Sequence, residues 1–433
     1  MRQSHELPLV GFLLFSLIPR QLCEICAVSK TSYTDLNPLI NTMINSEYTK
    51  GIQAANVLLS LRLAGILNQN QEQQLIQQVK RNVDYKPSNL TSGQFALGIL
   101  ALGTCKNPDA TSPDFPDLVR KLGNKFQAEL KNMDKHNGNP LTNYYQLSLD
   151  VLALCLFRGK YPINKVAEIF NPKNENFYFK KQFSVDTGAM AVLALTCVNN
   201  TKNWQEKTDT EALKNIRSHI KSLIEKILSH KKENGLLGNI YSTGEAMQAL
   251  FVSSDDYNES EWNCQQTLRT VVMEIHKGAF RMPTAAAQIL PALMGKTYLN
   301  VNKTSPCVYG SGNFNISTVE PITATPTLTP LQIEVNYSVV INSNTYSIMV
   351  CVANGSVFLN VMEAAQKKNE TLFSFTWENS SWGPYITSVQ GLRANNNDRT
   401  FWELLSNGKP LDQGAGSYVV HEGENLEVRW SKY

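Results

Sequence analysis

The stretch "FSVDTGAMAVLALTC", residues 183–197, decides the fold of this chain. After Thr187 nearly every residue in it is apolar, which is typical of a helix buried on all sides rather than one with a solvent-facing stripe. An aspartate and a threonine nevertheless stand near its beginning. We predict that Asp186 and Thr187 cap this helix at the point where it meets solvent.

Five other segments share this apolar character, and the six recur at intervals of about 40 to 60 residues, a spacing typical of repeat architectures. The other five are residues 51–65, 92–105, 143–157, 242–254 and 283–295.

Segments of a second kind lie between them. Leu118, Leu122, Phe126 and Leu130 recur among charged residues at helical spacing, and residues 213–227 repeat the pattern. Alternation of fully apolar and amphipathic helices predicts an inner ring shielded by an outer ring, an α6/α6 barrel over residues 24–308. The beginnings of the inner helices would then line the barrel's mouth with Gln94, Thr142, Asn143, Tyr144, Tyr145, Gln146, Asp186, Thr187, residues 239–243 and Gln288.

The composition changes after Cys307. Residues 309–330 are rich in Ser, Thr and Pro and predict a linker. Residues 331–433 alternate with the period of strands around one helical segment and predict a small β-rich α+β domain. Trp382, Tyr385 and Trp402 lie in short segments of this tail, either as its core or as a lid over the barrel's mouth.

The N-terminal residues predict a secretory signal peptide over residues 1–23, because the apolar run from Leu7 to Ile18 is too short to span a bilayer. No later segment is apolar for long enough to be a membrane anchor. We therefore expect a secreted, extracellular protein that does not insert into membranes. The net charge of +3 is spread along the chain without a Lys/Arg block, which argues against nucleic acid as a partner.

An oxidising compartment favours disulfide pairing of the seven cysteines that follow the signal peptide, with one left over. The residues alone leave the connectivity open. Zinc is disfavoured because the mature chain has no CxxC pair. Nine sequons are candidates for N-glycosylation: Asn89, Asn199, Asn258, Asn302, Asn315, Asn336, Asn354, Asn369 and Asn379.

Carboxylates on the apolar segments raise the alternative of a secreted carbohydrate-active enzyme, because α6/α6 barrels host glycosidases that use paired Asp and Glu side chains. Asp186 is one candidate for this role. Glu245 is also explained by a capping box with Ser242, and Asp150 by a hydrogen bond to Gln146. The amides and hydroxyls of the predicted mouth favour instead a large neutral ligand rich in amides.

Six motifs, "TNYYQLSLDVLALC", "SVDTGAMAVLALTC", "GNIYSTGEAMQAL", "AAAQILPALMGKTY", "GPYITSVQG" and "FWELL", resemble the mammalian cobalamin-binding proteins, the transcobalamin and intrinsic factor family. The resemblance covers essentially the whole chain. It implies an α6/α6 barrel joined to a small β-rich domain, with cobalamin or a related corrinoid held between them as a ligand and without catalysis. The resemblance does not decide whether a cell-surface receptor is a further partner.

The resemblance also implies individual roles. Gln94, Thr142 to Gln146, Asp186, Asn239 and Gln288 match positions that contact the ligand from the barrel, and Tyr385, Trp402, Glu403 and Leu404 match positions covering its other face. The implied disulfides are Cys26–Cys264, Cys105–Cys307 and Cys155–Cys197. Cys351 lies outside this pattern, and we expect it to be a buried thiol in a strand.

One position departs from the transcobalamin branch of the family. There a histidine three residues before the helix-opening aspartate coordinates the cobalt, whereas this chain has Phe183. We predict that the protein supplies no imidazole to the metal from this position. Dispersed polar contacts without a metal bond would also tolerate altered corrinoids.

Overall fold

The computed structural model describes residues 26–45, 52–66, 69–85, 87–104, 115–201, 210–301, 331–380 and 383–433. The predicted signal peptide, the predicted linker, the predicted Cys105–Cys307 disulfide and Trp382 lie outside the described residues, as do the sequons at Asn302 and Asn315.

Twelve α-helices form the described part of the first domain. In chain order they are α1 (Asn37–Asn45), α2 (Gln53–Ala64), α3 (Gln69–Tyr85), α4 (Ser92–Gly103), α5 (Phe115–Lys135), α6 (Tyr144–Leu156), α7 (Ile163–Ile169), α8 (Val185–Asn200), α9 (Thr210–Ser229), α10 (Thr243–Val252), α11 (Cys264–His276) and α12 (Pro283–Leu293). A short hairpin, β1 (Tyr178–Phe179) and β2 (Gln182–Phe183), precedes α8.

The even-numbered helices form a closed ring. Each contacts the next even-numbered helix, and α12 returns to α2. Every residue of α8 from Thr187 to Val198 is buried, as its composition predicts, whereas α5 buries mainly the row containing Leu118, Leu122, Phe126 and Leu130. The odd-numbered helices pack outside the ring, so the prediction of an α6/α6 barrel is confirmed.

The second domain contains β3 (Gln332–Ile341), β4 (Asn344–Ala353), α13 (Phe358–Lys368), α14 (Glu370–Phe373), β5 (Phe375–Ser380), β6 (Gly383–Val389), β7 (Leu392–Arg393), β8 (Thr400–Ser406), β9 (Lys409–Pro410) and β10 (Asn425–Lys432). One sheet has the strand order β4-β3-β10-β8-β9, with β10 parallel to β3, and a second has the order β5-β6-β7. Helix α13 packs on β3 and β4. Its Phe358 joins Tyr337, Val350 and Val428 in a core separate from that of the barrel.

Two disulfides are present among the described residues, Cys26–Cys264 and Cys155–Cys197, as the resemblance implies. Cys351 is a free thiol in β4, but its side chain is exposed. The expectation of a buried thiol is wrong because β4 is an edge strand and Cys351 lies on the face opposite Val350 and Val352. No helix among the described residues is long and apolar enough to cross a bilayer.

Candidate functional site

A cavity of about 590 Å³ lies between the mouth of the barrel and the second domain, and we call it the interdomain cavity. Amides, hydroxyls and three carboxylates predominate in its lining. From the first domain come Thr91, Gln94, Leu141, Thr142, Asn143, Gln146, Asp186, Asn239, Tyr241, Ser242, Thr284, Ala285 and Gln288. From the second domain come Glu378, Ser380, Pro384, Tyr385, Asn396, Asp412, Gln413, Gly414 and Ser417.

Helix caps fix the polar side chains at the beginnings of α4 and α6. Thr91 and Gln94 form a capping box, in which the Gln94 backbone N–H donates to Thr91 Oγ1 at 3.3 Å and the Thr91 N–H donates to Gln94 Oε1 at 3.1 Å. Asn143 caps α6 by accepting the N–H of Gln146 at 3.0 Å. The Thr91 hydroxyl donates to Gln146 Oε1 at 2.5 Å and so joins the two caps.

A glycine sets the spacing between these two helices. A Cβ placed on Gly93 would lie 2.5 Å from Cβ of Gln146, closer than two carbon atoms can approach without repulsion. Substitution of Gly93 would therefore push α4 and α6 apart at the cavity.

Asn239 organises the loop before α10. Its side-chain oxygen accepts the backbone N–H groups of Tyr241 at 2.9 Å and Ser242 at 2.8 Å, which is an Asx turn. Because the oxygens of Asn143 and Asn239 are engaged in this way, what these two side chains can offer a ligand is chiefly their amide N–H groups.

Asp186 lines the cavity from the first turn of α8, where its negative charge complements the positive end of the helix dipole. The prediction that it is the N-cap is wrong. Ser184 occupies that position. Its hydroxyl donates to Asp186 Oδ1 at 2.6 Å and lies 2.8 Å from Thr187 Oγ1. Thr187 is buried and does not line the cavity.

Thr142 offers an independent sign that the cavity is built for a polar ligand. Its backbone N–H donates to buried Glu129 Oε2 at 3.1 Å, and Glu129 Oε1 accepts the Ser92 hydroxyl at 2.8 Å. The Thr142 hydroxyl itself is buried without a hydrogen-bond partner among the described residues. A buried polar atom in this state costs free energy, which a hydrogen bond from a ligand would recover.

Glu245 is fully buried behind the cavity wall rather than in it. Burial and the negative charge of Asp186 raise the pKa of its carboxyl group well above the usual range. Tyr145 donates to Glu245 Oε1 at 3.5 Å. The predicted capping box with Ser242 is wrong, because the Ser242 hydroxyl donates to the carbonyls of Leu237 and Asn239 instead.

Asp150 is also fully buried, and neither of its carboxylate oxygens has a hydrogen-bond partner among the described residues. The predicted bond to Gln146 is therefore wrong. Burial, together with the charge of nearby Glu129, raises the pKa of Asp150 well above its usual range. A carboxyl group sealed from the cavity cannot act as general acid or base on a bound molecule, which argues against the glycosidase alternative.

Five predicted contacts do not line the cavity. Tyr144 is buried in the barrel, where its hydroxyl accepts Nδ2 of Asn174 at 2.7 Å, and Tyr145 lies below the cavity beside Glu245. Trp402 packs on Trp430 in the second domain, with ring centroids 5.0 Å apart. The five are Tyr144, Tyr145, Trp402, Glu403 and Leu404.

Phe183 turns away from the cavity. Its ring is buried, with its centroid 6.3 Å from that of Phe177 and 5.9 Å from that of Tyr178. No histidine is among the described residues that line the cavity. Nor do the described residues include a group of three or more His, Cys, Asp or Glu side chains placed to hold a metal ion.

Sequence reasoning missed most of the second domain's wall, of which it named Tyr385 alone. Glu378 and Ser380 alternate along β5, while Asn396 and residues 412–417 belong to loops. The alternation of side chains along a strand could have placed Glu378 and Ser380 on one face, but no sequence pattern marks the loop residues as part of the cavity.

The charged lining residues are Asp186, Glu378 and Asp412, with no Lys or Arg among the described residues that line the cavity, so the cavity carries negative charge.

Comparison with known proteins agrees with this architecture. The family model "Eukaryotic cobalamin-binding protein" matches residues 8–328, and a domain of unknown function, DUF4430, matches residues 355–432. Human transcobalamin-1 is 65% identical over 434 residues, covering 100% of both chains, and human cobalamin binding intrinsic factor is 32% identical, covering 94% of each. A crystal structure of haptocorrin in complex with Cbi is 62% identical with a TM-score of 0.86, covering 95% of this chain and 100% of that one.

The chain belongs to the family of eukaryotic cobalamin-binding proteins. Within that family, the motifs in the sequence resemble haptocorrin, and the similarity to the haptocorrin structure agrees with this resemblance. The matched relatives are binding proteins rather than enzymes, so the alternative of a carbohydrate-active enzyme is not supported.

Proposed function

We propose that this protein is a secreted carrier that binds cobalamin and related corrinoids in the interdomain cavity, protecting and transporting them. One observation carries the proposal: amide and hydroxyl side chains from both domains converge on a single cavity. A corrin ring bears amide side chains around its periphery, and these require both donors and acceptors from a protein. The cavity's carboxylates also suit the positive charge of a cobalt(III) corrin.

Each domain has its own part in this proposal. Gln94, Thr142, Asn143, Gln146, Asp186, Asn239 and Gln288 hydrogen-bond the ligand from the barrel, and Tyr385 covers it from the second domain. Secretion is supported by the apolar segment within residues 1–23 and by the two disulfides, which persist in oxidising compartments. Recognition by a cell-surface receptor belongs to the proposal as the step that follows transport.

The test is a titration of the protein with aquocobalamin. The secreted protein is stripped under denaturing conditions, refolded and titrated while the visible spectrum is recorded. We expect stoichiometric binding without the spectral shift that histidine coordination produces, because Phe183 replaces the histidine and points into the barrel's core. A histidine-type shift would contradict this account of the metal's upper face, and absence of binding by refolded protein would overturn the carrier function.

A further inference from the structure

The β1–β2 hairpin projects from the barrel onto the second domain, beside the interdomain cavity and not in its lining. Phe179 lies against two aromatic rings of the second domain, with its ring centroid 4.4 Å from that of Phe401 and 5.3 Å from that of Tyr433. Such pairs contribute stabilisation beyond the area they bury. The hairpin is therefore an attachment point between the domains, and we call it the hairpin arm (residues 178–183).

Lys180 adds a charged contact at the tip of the hairpin arm. Its ammonium group lies 2.5 Å from Glu403 Oε2, and Glu403 is only 5% exposed. The Ser431 hydroxyl donates to the same carboxylate oxygen at 3.1 Å. Without Lys180, the Glu403 carboxylate would stay buried with a hydroxyl as its remaining partner, and burial of an unpaired charge is costly.

The backbone of the turn indicates that these lysines occupy an unfavourable conformation. Lys180 and Lys181 are the two central residues of the hairpin turn, with φ of 48° and 66°. Two-residue turns of this kind favour Asn and Gly, because other residues are strained at positive φ. The contact between Lys180 and Glu403 gives a physical reason for a lysine at the first of these positions.

Neighbouring contacts link the hairpin arm to the cavity wall. Arg399 donates to Glu175 Oε2 at 3.0 Å and lies over the ring of Tyr433 at 5.1 Å. Asn396 lies in the same short loop as Arg399, and its side-chain amide donates to the Leu141 carbonyl at 2.9 Å. Asn396 and Leu141 both line the cavity, so the interface held by the hairpin arm continues into its wall.

We infer that Phe179 and Lys180 are positioning residues for ligand retention: through Phe401, Tyr433 and Glu403 they hold the second domain over the barrel's mouth. This inference rests on the proposed function but concerns residues that do not line the cavity. Glu403, which the family resemblance assigns to the ligand's face, acts here as the partner of Lys180. The hairpin arm thus resists the domain opening through which a corrinoid would leave.

The experiment compares release of bound aquocobalamin from Lys180→Met, Glu403→Gln, the double variant and Lys181→Met in the full chain. Lys181 is the matched control, an exposed lysine at the adjacent position of the same turn. We expect Lys180→Met to release the ligand about fivefold to tenfold faster, since removing the partner of a buried carboxylate acts mainly on dissociation. The double variant should release it no faster than Lys180→Met alone, and Lys181→Met should keep the parent rate.

Small-angle X-ray scattering of the ligand-free chain gives a second measurement that does not depend on corrinoid binding. We expect the radius of gyration to increase for the double variant Phe179→Ala/Lys180→Met and to stay unchanged for Lys181→Met. The melting temperature of the double variant should stay near that of the parent. Equal release rates for Lys180→Met and Lys181→Met, or no change in the scattering of the combined variant, would overturn the inference. A parent chain that does not bind aquocobalamin would overturn the proposed function alone, and scattering would still decide the role of the hairpin arm.

Discussion

Carboxyl groups in this protein differ in exposure and in pKa according to the residues that surround them. Asp186 and Glu245 begin neighbouring inner helices, yet Asp186 lines the cavity while Glu245 is sealed behind it. Burial disfavours the charged form and, with the negative charge of Asp186, raises the pKa of Glu245 well above its usual range. Of these two carboxyl groups only Asp186 faces the cavity, which it shares with Glu378 and Asp412 of the second domain.

Glu245 makes stability depend on pH. Its pKa in the folded chain is raised above the unfolded value of 4.5, so its stabilising contribution is complete below that value and is lost as the pH rises through the folded pKa. Between pH 4.5 and the folded pKa of Glu245, the free energy of unfolding should fall by up to about 1.4 kcal/mol per pH unit, because the folded chain holds one proton more than the unfolded chain. Glu245→Gln should remove that slope, as measured by chemical denaturation across the pH range.

Glu233→Gln provides the control, because Glu233 is exposed. This variant should keep the pH-dependent slope that Glu245 produces. A stability difference between Glu245→Gln and the parent that does not vary with pH would contradict the raised pKa of Glu245.

A substitution of Tyr385 tests whether the second domain's wall contacts the ligand. Tyr385 is 46% exposed and lines the cavity, whereas Met349 is 45% exposed on the outer face of β4. We expect Tyr385→Ala to release aquocobalamin about tenfold faster, because large aromatic side chains at the centre of an interface often contribute more than 1 kcal/mol to binding. Met349→Ala should keep the parent rate, and equal rates for the two variants would remove Tyr385 from the site.

At the scale of elements, Arg62 joins three helices of the barrel. Its guanidinium lies 2.7 Å from Glu72 Oε1, which connects α2 to α3, and it donates to the carbonyls of Ala101 at 2.7 Å and Thr104 at 2.9 Å at the end of α4. Arg62 and Glu72 are both buried. A single planar cation thus satisfies a carboxylate and the carbonyls at a helix end.

Removal of one partner from this buried pair should destabilise the barrel. We expect Arg62→Met to lower the free energy of unfolding by about 3–5 kcal/mol, because Glu72 and the α4 carbonyls would stay buried without their donor. Arg81→Met, an exposed change on α3, should stay within about 0.5 kcal/mol of the parent. Partial recovery in the Arg62→Met/Glu72→Leu double variant would confirm the cause, whereas a loss no larger than that of Arg81→Met would refute it.

For the whole molecule, the decisive feature is that two domains share one cavity. Each domain alone presents one face to a ligand, and a covalent connection keeps the second face at an effective concentration in the millimolar range. Closure over a bound ligand is then an intramolecular event. Release requires the domains to separate, which the hairpin arm and the covalent connection both oppose.

Cleavage of the chain within residues 321–330 should lower affinity mainly through faster dissociation, because a second domain that separates is no longer returned at high local concentration. The measurement compares association and dissociation rate constants for aquocobalamin before and after cleavage at an engineered protease site. Unchanged release kinetics in the cleaved protein would show that the covalent connection does not retain the ligand.

The sequence by itself determined the barrel, because an all-apolar helix such as α8 can exist in water only when other helices surround it. Periodicity likewise indicated that the tail is rich in strands, and local polar residues at helix beginnings identified Gln94, Asn143, Gln146 and Asn239 as lining residues. Each of these signals is a short-range pattern that a folded chain must satisfy.

Only the tertiary structure decided which carboxyl groups face the cavity, what Glu403 contacts and which loops complete the second wall. Glu245 and Asp186 have similar local sequence settings, and their difference arises from how α6, α8 and α10 pack. Lys180 meets Glu403 across 223 residues of sequence, a pairing that no local pattern encodes. Burial and charge pairing depend on neighbours distant in the chain, so these features of the site emerge only when the two domains come together.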